Sequence, residues 1–162
     1  MKEIQLTQGK VALVDDEDFE YLSQWKWHIE KVRNNIYAKR TSSRNEDGKQ
    51  STIRMHRFIM NAKKYEIVDH ENRNGLDNQK HNLRFCTRNQ NAYNRKAFKG
   101  STSRYKGVWQ SKGRNKWVSR IWINGKQKYL GTFEDENQAA KAYNIVALQI
   151  HRDFAVPNII TT

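Results

Sequence analysis

Cysteine and proline are almost absent from this chain. Cys86 is the only cysteine and Pro157 the only proline among 162 residues. A single thiol cannot close a disulfide within the chain, and it excludes a zinc site built on cysteines. No apolar run is long enough to span a bilayer. The opening "MKEIQLTQGK" lacks the apolar stretch of a secretory signal, so an intracellular location is expected. Acid is scarce too, with 17 Asp and Glu against 30 Lys and Arg, for a net charge of +13. An excess of this size attracts polyanions, and nucleic acid is the commonest of them. Anionic membrane is the competing partner, but no basic amphipathic helix with a broad apolar face is present. Mean hydropathy is low, at −1.02. Disordered chains of that polarity lack aromatics, whereas this one has five Trp, seven Tyr and six Phe. Folded units with small cores follow.

The chain reads as two units. From Gln5 to about Thr52 the pattern is mostly strand. "KVALVD", "WKWHIEKV", "IYAKRT" and "STIRMHR" are expected strands, with turn signals "RNN" and "NEDGK" between them. "DDEDFEYLSQ" suits a short helix with acids at its positive end. "RFIMNAKK" suits another, and "TRNQNAYNRKAF" a third, with Thr87 as N-cap and Gln90 three residues on. "FKGSTSRYKG" then turns basic and rich in Ser and Gly, as linkers are. Beyond it, "YKGVWQS", "KWVSRIWIN" and "KQKYLGTF" are expected strands, and "NGK" is a strong hairpin signal. A helix capped by Asp135, with Gln138 completing a capping box, should bury Ala139, Ala140, Tyr143, Val146, Ala147 and Ile150. Residues 98–162 hold 11 basic and 4 acidic side chains, a net +7 of the chain's +13. Both units are therefore basic, and both can face one polyanion.

The most unusual stretch is "VDHENRNGLDNQKHNLRFCTRNQN", residues 68–91. Asn competes with the backbone for hydrogen bonds and serves helices and strands poorly, so this density needs a reason. Cutting a phosphodiester needs a base for water, a cation for the developing charge, and a scaffold for both. Asp69 offers a hard oxygen suited to Mg²⁺ or Mn²⁺. His70 offers a base that titrates near neutrality. Neighbouring strand residues point to opposite faces, so the two need a strand end or a loop to converge. "HENRNGL" supplies one. Against this, an Asp-His pair alone is commonest as a surface pair. Asn72, Asn74 and Asn78 read as turn residues, His81 as a solvated loop histidine, His56 as a packed histidine and Cys86 as a small core residue.

The order Asp69-His70, Asn82-Leu83-Arg84, Thr87 and Asn91 resembles the HNH nucleases. "LTQGKVALVDDEDFEYLSQWKW" and "MHRFIM" are similar to the N-terminal part of phage and bacterial HNH proteins of the homing-endonuclease kind. The likeness covers Leu6 to about Arg95. It implies two strands and a helix around one divalent metal, Mg²⁺ or Mn²⁺. His70 would be the general base, and Asn82 would pin the loop. Asp69 and Asn91 would be the metal ligands, Asn91 standing where many relatives carry a last His.

In the C-terminal unit, alternation along "KWVSRIWIN" puts Trp117, Ser119 and Ile121 on one side. Val118, Arg120 and Trp122 fall on the other. Trp117 is expected over the helix alanines. The outer face gathers Arg120 and Trp122 with Gln127 and Tyr129 from the next strand. Cations, amides and aromatics on a thin sheet suit a major groove, which admits a β-ribbon. The plainer reading is an ordinary set of cross-strand pairs. Ser103 to about Asn158 closely resembles the Apetala/ethylene-response-factor DNA-binding domain, through "YKGVWQ", "KWVSRI", "YLGTFEDENQAAKAYN" and Asn158. By position this implies Lys106, Trp109, Trp122, Gln127 and Tyr129 as readers of double-stranded DNA. Several positions that are Arg in plant members are not Arg here.

The expected class is α+β: a ββα-metal nuclease unit in 1–97, a linker in 98–104, and in 105–162 a three-stranded antiparallel sheet packed on one helix. The expected function is metal-dependent DNA cleavage by a monomer or DNA-dependent dimer in a bacterium or phage-infected cell. No membrane or protein partner is implied. A DNA-binding regulator with a degenerate nuclease fold, or an RNA-binding protein, would carry the same charge.

Overall fold

The computed structural model describes residues 1–95, 100–113 and 115–161. The chain is mixed α and β, with small antiparallel sheets, and it divides into two compact units, Met1–Thr87 and Arg88–Thr162.

In the first unit β1 (Lys2–Gln5) pairs antiparallel with β2 (Val11–Val14). Helix α1 (Asp16–Ser23) follows, with Asp16, Glu17 and Asp18 in its first turn, where the helix dipole favours them. Strands β3 (His28–Val32), β4 (Asn35–Thr41) and β5 (Thr52–Arg54) form an antiparallel sheet in that order. Helix α2 (Met55–Ile59) leads to a two-stranded ladder of β6 (Ile67–His70) and β7 (Leu83–Cys86). The core packs Ile4, Leu6, Ala12, Val14, Leu22, Trp27, Ala38 and Met55. Trp27 is fully buried, and its indole N–H donates to the Leu22 carbonyl at 2.8 Å, so its polar edge is satisfied.

Several local expectations change. β1 starts before the expected strand region. "MHR" is helix rather than strand. Met55 and His56 are consecutive and both buried, which one face of a strand cannot provide but a helical turn can. The expected helix over "RFIMNAKK" stops at Ile59, because Asn61 takes a left-handed φ of 46°. Cys86 is half-buried at the end of β7 rather than in the core.

The second unit begins with α3 (Arg88–Tyr93), so the third expected helix is shorter than its pattern. Residues 96–98 of that pattern, and the start of the expected linker, lie outside the described residues. Ser103 is buried, and its hydroxyl donates to Glu136 at 2.7 Å in the first turn of the last helix. Strands β8 (Val108–Gln110), β9 (Trp117–Ile123) and β10 (Lys126–Phe133) form an antiparallel sheet with β9 in the centre. Asn124 and Gly125 both have positive φ and make the tight β9–β10 turn. Helix α4 (Glu136–His151) is capped by Asp135, whose carboxylate accepts from the Gln138 N–H at 3.0 Å.

Ala139, Ala140, Tyr143 and Ala147 face the sheet as expected, but Ile150 is 40% exposed. The buried place near the helix end belongs to His151, which stacks on Tyr93 with ring centroids 3.5 Å apart. A Cβ at Gly107 would lie 2.2 Å from the Tyr143 ring, and its φ is 76°, so sheet and helix can close here only over glycine. Asn158 ties the chain end back. Its side chain bonds both the N–H and the carbonyl of Lys106, and its backbone bonds the Asn144 side chain.

Candidate active site and nucleic-acid face

The site in the first unit is built at the end of the β6–β7 ladder. His70 is the last residue of β6, opposite Leu83, and Asp69 stands opposite Arg84. Both are buried, at 5% and 8% exposure. Two charged residues facing each other across a ladder pair readily. The Arg84 guanidinium accordingly reaches Asp69 Oδ2 at 3.2 and 3.3 Å, and Glu71 at 3.4 Å.

The asparagines explain the loop that follows. Asn72 Oδ1 accepts from the Asn74 N–H at 2.8 Å, and Asn74 Oδ1 from the Leu76 N–H at 3.2 Å. These are the local side-chain turns that Asn favours. Asn72 Nδ2 donates to Asp77 at 2.7 Å. Asn82 spans the loop from its far side. It accepts from the Asn72 N–H at 2.9 Å and donates to the Asp77 carbonyl at 2.8 Å. The loop also docks on β2, where the Leu13 N–H donates to the Leu76 carbonyl and the Asn78 N–H donates to the Leu13 carbonyl, both at 2.8 Å. Asp15 accepts from the Lys80 N–H at 2.7 Å. Glu17 and Asp18 of α1 pair with the Lys80 ammonium at 2.5 and 3.3 Å, so acids before and within α1 hold the loop.

Asn78, read from sequence as a turn residue, is fully buried against the base candidate. Its Oδ1 lies 3.3 Å from His70 Nε2, while its Nδ2 donates to the Leu76 carbonyl at 3.2 Å. His56 packs edge-on to His70 with centroids 4.8 Å apart, and Tyr37 of β4 lies 5.8 Å from the same ring. Tyr37 is seated against Gly75, where a Cβ would come within 2.7 Å of its ring. The "MHR" histidine was the sequence signal for this wall; the signal for Tyr37 and Asn78 was absent, because contacts across the fold set them. Burial lowers the His70 pKa from its ordinary value, opposed by the bond to Asn78 and by the charges of Asp69 and Asp77. Burial, with smaller repulsion from His70 and two arginines, drives His56 down to about 3. Both shifts favour the neutral ring. His81 is exposed, as a solvated loop histidine should be.

Asn91 lies on α3, in the second unit. Among the described residues no group of three or more His, Cys, Asp or Glu side chains is arranged to hold a metal ion. The donors present are hard oxygens, with Asp69 foremost. They fit only a metal that takes one or two protein oxygens and keeps the rest of its shell for water and phosphate, as Mg²⁺ does.

In the second unit, β9 and β10 bring four expected readers together. Trp122 pairs with Gln127, and Arg120 with Tyr129. Trp122 and Tyr129 are 58% and 56% exposed. The Arg120 guanidinium sits 4.5 Å over the Trp109 ring and donates to Gln127 Oε1 at 2.9 Å. Stacking and this bond hold Arg120 in one pose. Lys106 lies outside the strands, with its ammonium donating to the Tyr93 carbonyl. Thr132 was not foreseen. A bulge between Tyr129 and Gly131 shifts the register, and the Tyr129 and Thr132 hydroxyls bond at 2.7 Å. Trp117 packs with Tyr105, Val108, Ala139 and Ala140, as its core reading requires. Among the described residues no helix is long and apolar enough to cross a membrane.

No protein-family model matches the chain. An HNH endonuclease of Acanthamoeba polyphaga mimivirus, named as uncharacterized, is 29% identical over 156 residues, which is 93% of this chain and 75% of that protein. An APETALA2-like protein of Oryza sativa subsp. indica is 38% identical over 55 residues, 34% of this chain. A rice protein named for AP2/ERF and B3 domains is 45% identical over 58 residues, 35% of this chain. The chain spans only 13% and 18% of those two plant proteins. It is thus distantly similar to a named HNH endonuclease over most of its length and to plant Apetala-type proteins over a third.

Proposed function

We propose that this chain is a metal-dependent endonuclease that hydrolyses phosphodiester bonds in duplex DNA. In this reading residues 1–97 cut as a ββα-metal unit, 98–104 link, and 105–162 position the cut on DNA. The observation that supports it best is the gathering of Asp69, His70, Asn78 and Asn82 at one strand end, with a neutral histidine at its centre. The mimivirus relative's name agrees with it. His70 takes the proton from water. Asn82 holds the loop so that Asp69 and His70 keep their places. Asp69 and Asn91 would be the oxygen ligands of Mg²⁺ or Mn²⁺, which would supply charge at the phosphate and the leaving oxygen. The outer face of β9 and β10 reads bases, with Trp109, Arg120, Trp122, Gln127 and Tyr129 as contacts and Lys106 beside them. The setting would be the cytoplasm of a bacterium or phage-infected cell.

The ion pair of Arg84 with Asp69 favours a second reading, a DNA-binding regulator whose nuclease fold no longer cuts. Arg84 neutralises the carboxylate that the metal would use. Incubating supercoiled plasmid with and without Mg²⁺ or Mn²⁺ separates the two. Nicked or linear product that appears only with metal supports the nuclease, and binding without product supports the regulator.

A further inference from the structure

We infer that Asn78 is a positioning residue that fixes which nitrogen of His70 carries the hydrogen, and thereby which one can take a proton from water. The inference rests on the nuclease reading for its catalytic consequence, but its structural part stands alone. Asn78 is fully buried, and its two ends are distinguishable. Its Nδ2 donates to the Leu76 carbonyl, an acceptor only, so the amide cannot be turned round without setting two oxygens against each other. Its Oδ1 therefore faces His70 Nε2, at 3.3 Å. An amide oxygen accepts but never donates, so a neutral His70 keeps its hydrogen on Nε2 and its lone pair on Nδ1.

The same loop that holds Asn78 is clamped to β2 by the bond from the Asn78 N–H to the Leu13 carbonyl. His56 and Tyr37 close on the His70 ring from other elements, and His56 is itself 5% exposed, so ring rotation would require local opening. A base delivered in one tautomer and one orientation loses no population to the wrong one. Partners that orient a metal-ligating histidine are worth about 10- to 100-fold in activity when removed, and the same order is expected for a base.

The test uses the full chain with ¹⁵N-labelled histidine, free of metal and DNA, at a pH where His70 is neutral. Ring nitrogen shifts and couplings of His70 report the tautomer. The expected wild-type spectrum shows Nε2 protonated and Nδ1 unprotonated. Asn78→Ala should shift it towards a mixture. Rates measured alongside should fall about 10- to 100-fold for Asn78→Ala. A wild-type ring with its hydrogen on Nδ1 overturns the inference, whether or not the variant folds. So does an Asn78→Ala spectrum identical to wild type. A chain that shows this tautomer response yet cuts no DNA overturns the nuclease reading and leaves the Asn78 assignment standing.

Discussion

The candidate sites of the two units treat their polar side chains in opposite ways. In the first, Asp69, His70, Asn78 and Asn82 are all under 10% exposed and fully engaged with one another's loop. In the second, Trp122 and Tyr129 are more than half exposed on an open sheet, steadied only by neighbours on the same face. Burial suits chemistry, because it fixes geometry and tunes basicity before a substrate arrives. Exposure suits reading, because a base edge must reach the side chain. A mutation in the first unit should therefore act on the chemical step and on folding. One in the second should act on which DNA is held.

The largest expected effect follows from removing the base. His70→Ala should lower cleavage by about 10²–10⁴-fold while leaving DNA affinity close to wild type, since affinity comes from many basic contacts. Paired cleavage and binding assays at one salt concentration check it. Loss of both together would place His70 in folding rather than in chemistry.

Next comes Asn82→Ala. It leaves the buried Asp77 carbonyl without its donor and frees the Asn72 N–H on the exposed side of the loop, and should cost about 1–3 kcal/mol in urea unfolding. A comparable change at Trp122, on the exposed face, should cost far less stability.

The pH response sharpens the same contrast. His56 is held at about 3 in the fold against 6.5 for a free histidine. The unfolded chain therefore binds the extra proton between these values. Stability is complete above about 6.5 and falls as pH drops towards 3, by about 1.4 kcal/mol per pH unit. His56→Gln should flatten that slope. The acid limb of cleavage should lie below 6.5, because His70 is shifted the same way.

The smallest effects belong to the second unit. Gln127→Ala should change which sequences are preferred, whereas Lys112→Ala, in an exposed turn, should weaken all duplexes alike and slightly. Binding-site selection at fixed salt distinguishes the two.

What the sequence revealed tracks the range of the interactions. The β9–β10 turn and the Asp135 cap are local, and both stand where the residues put them. The outer face of the second unit followed from period-two alternation. The first site was legible in part. Asp69 and His70 stood out as chemistry, but Asn78 looked like one more turn residue. Its meaning depends on Leu13, 65 residues away in sequence, which anchors its loop. The "MHR" helix was missed for the same reason. Nothing local announces that both Met55 and His56 must be buried. The role of Ile150 passed to His151 because Tyr93 covers the helix end.

The division of labour is tested most directly by mapping cleavage ends on a mixed duplex pool with Mg²⁺, using wild type, His70→Ala and Gln127→Ala as full chains. The account predicts metal-dependent ends with wild type, none with His70→Ala, and ends at altered sequences but undiminished yield with Gln127→Ala. Ends that persist in His70→Ala, or a site preference unchanged by Gln127→Ala, would contradict it.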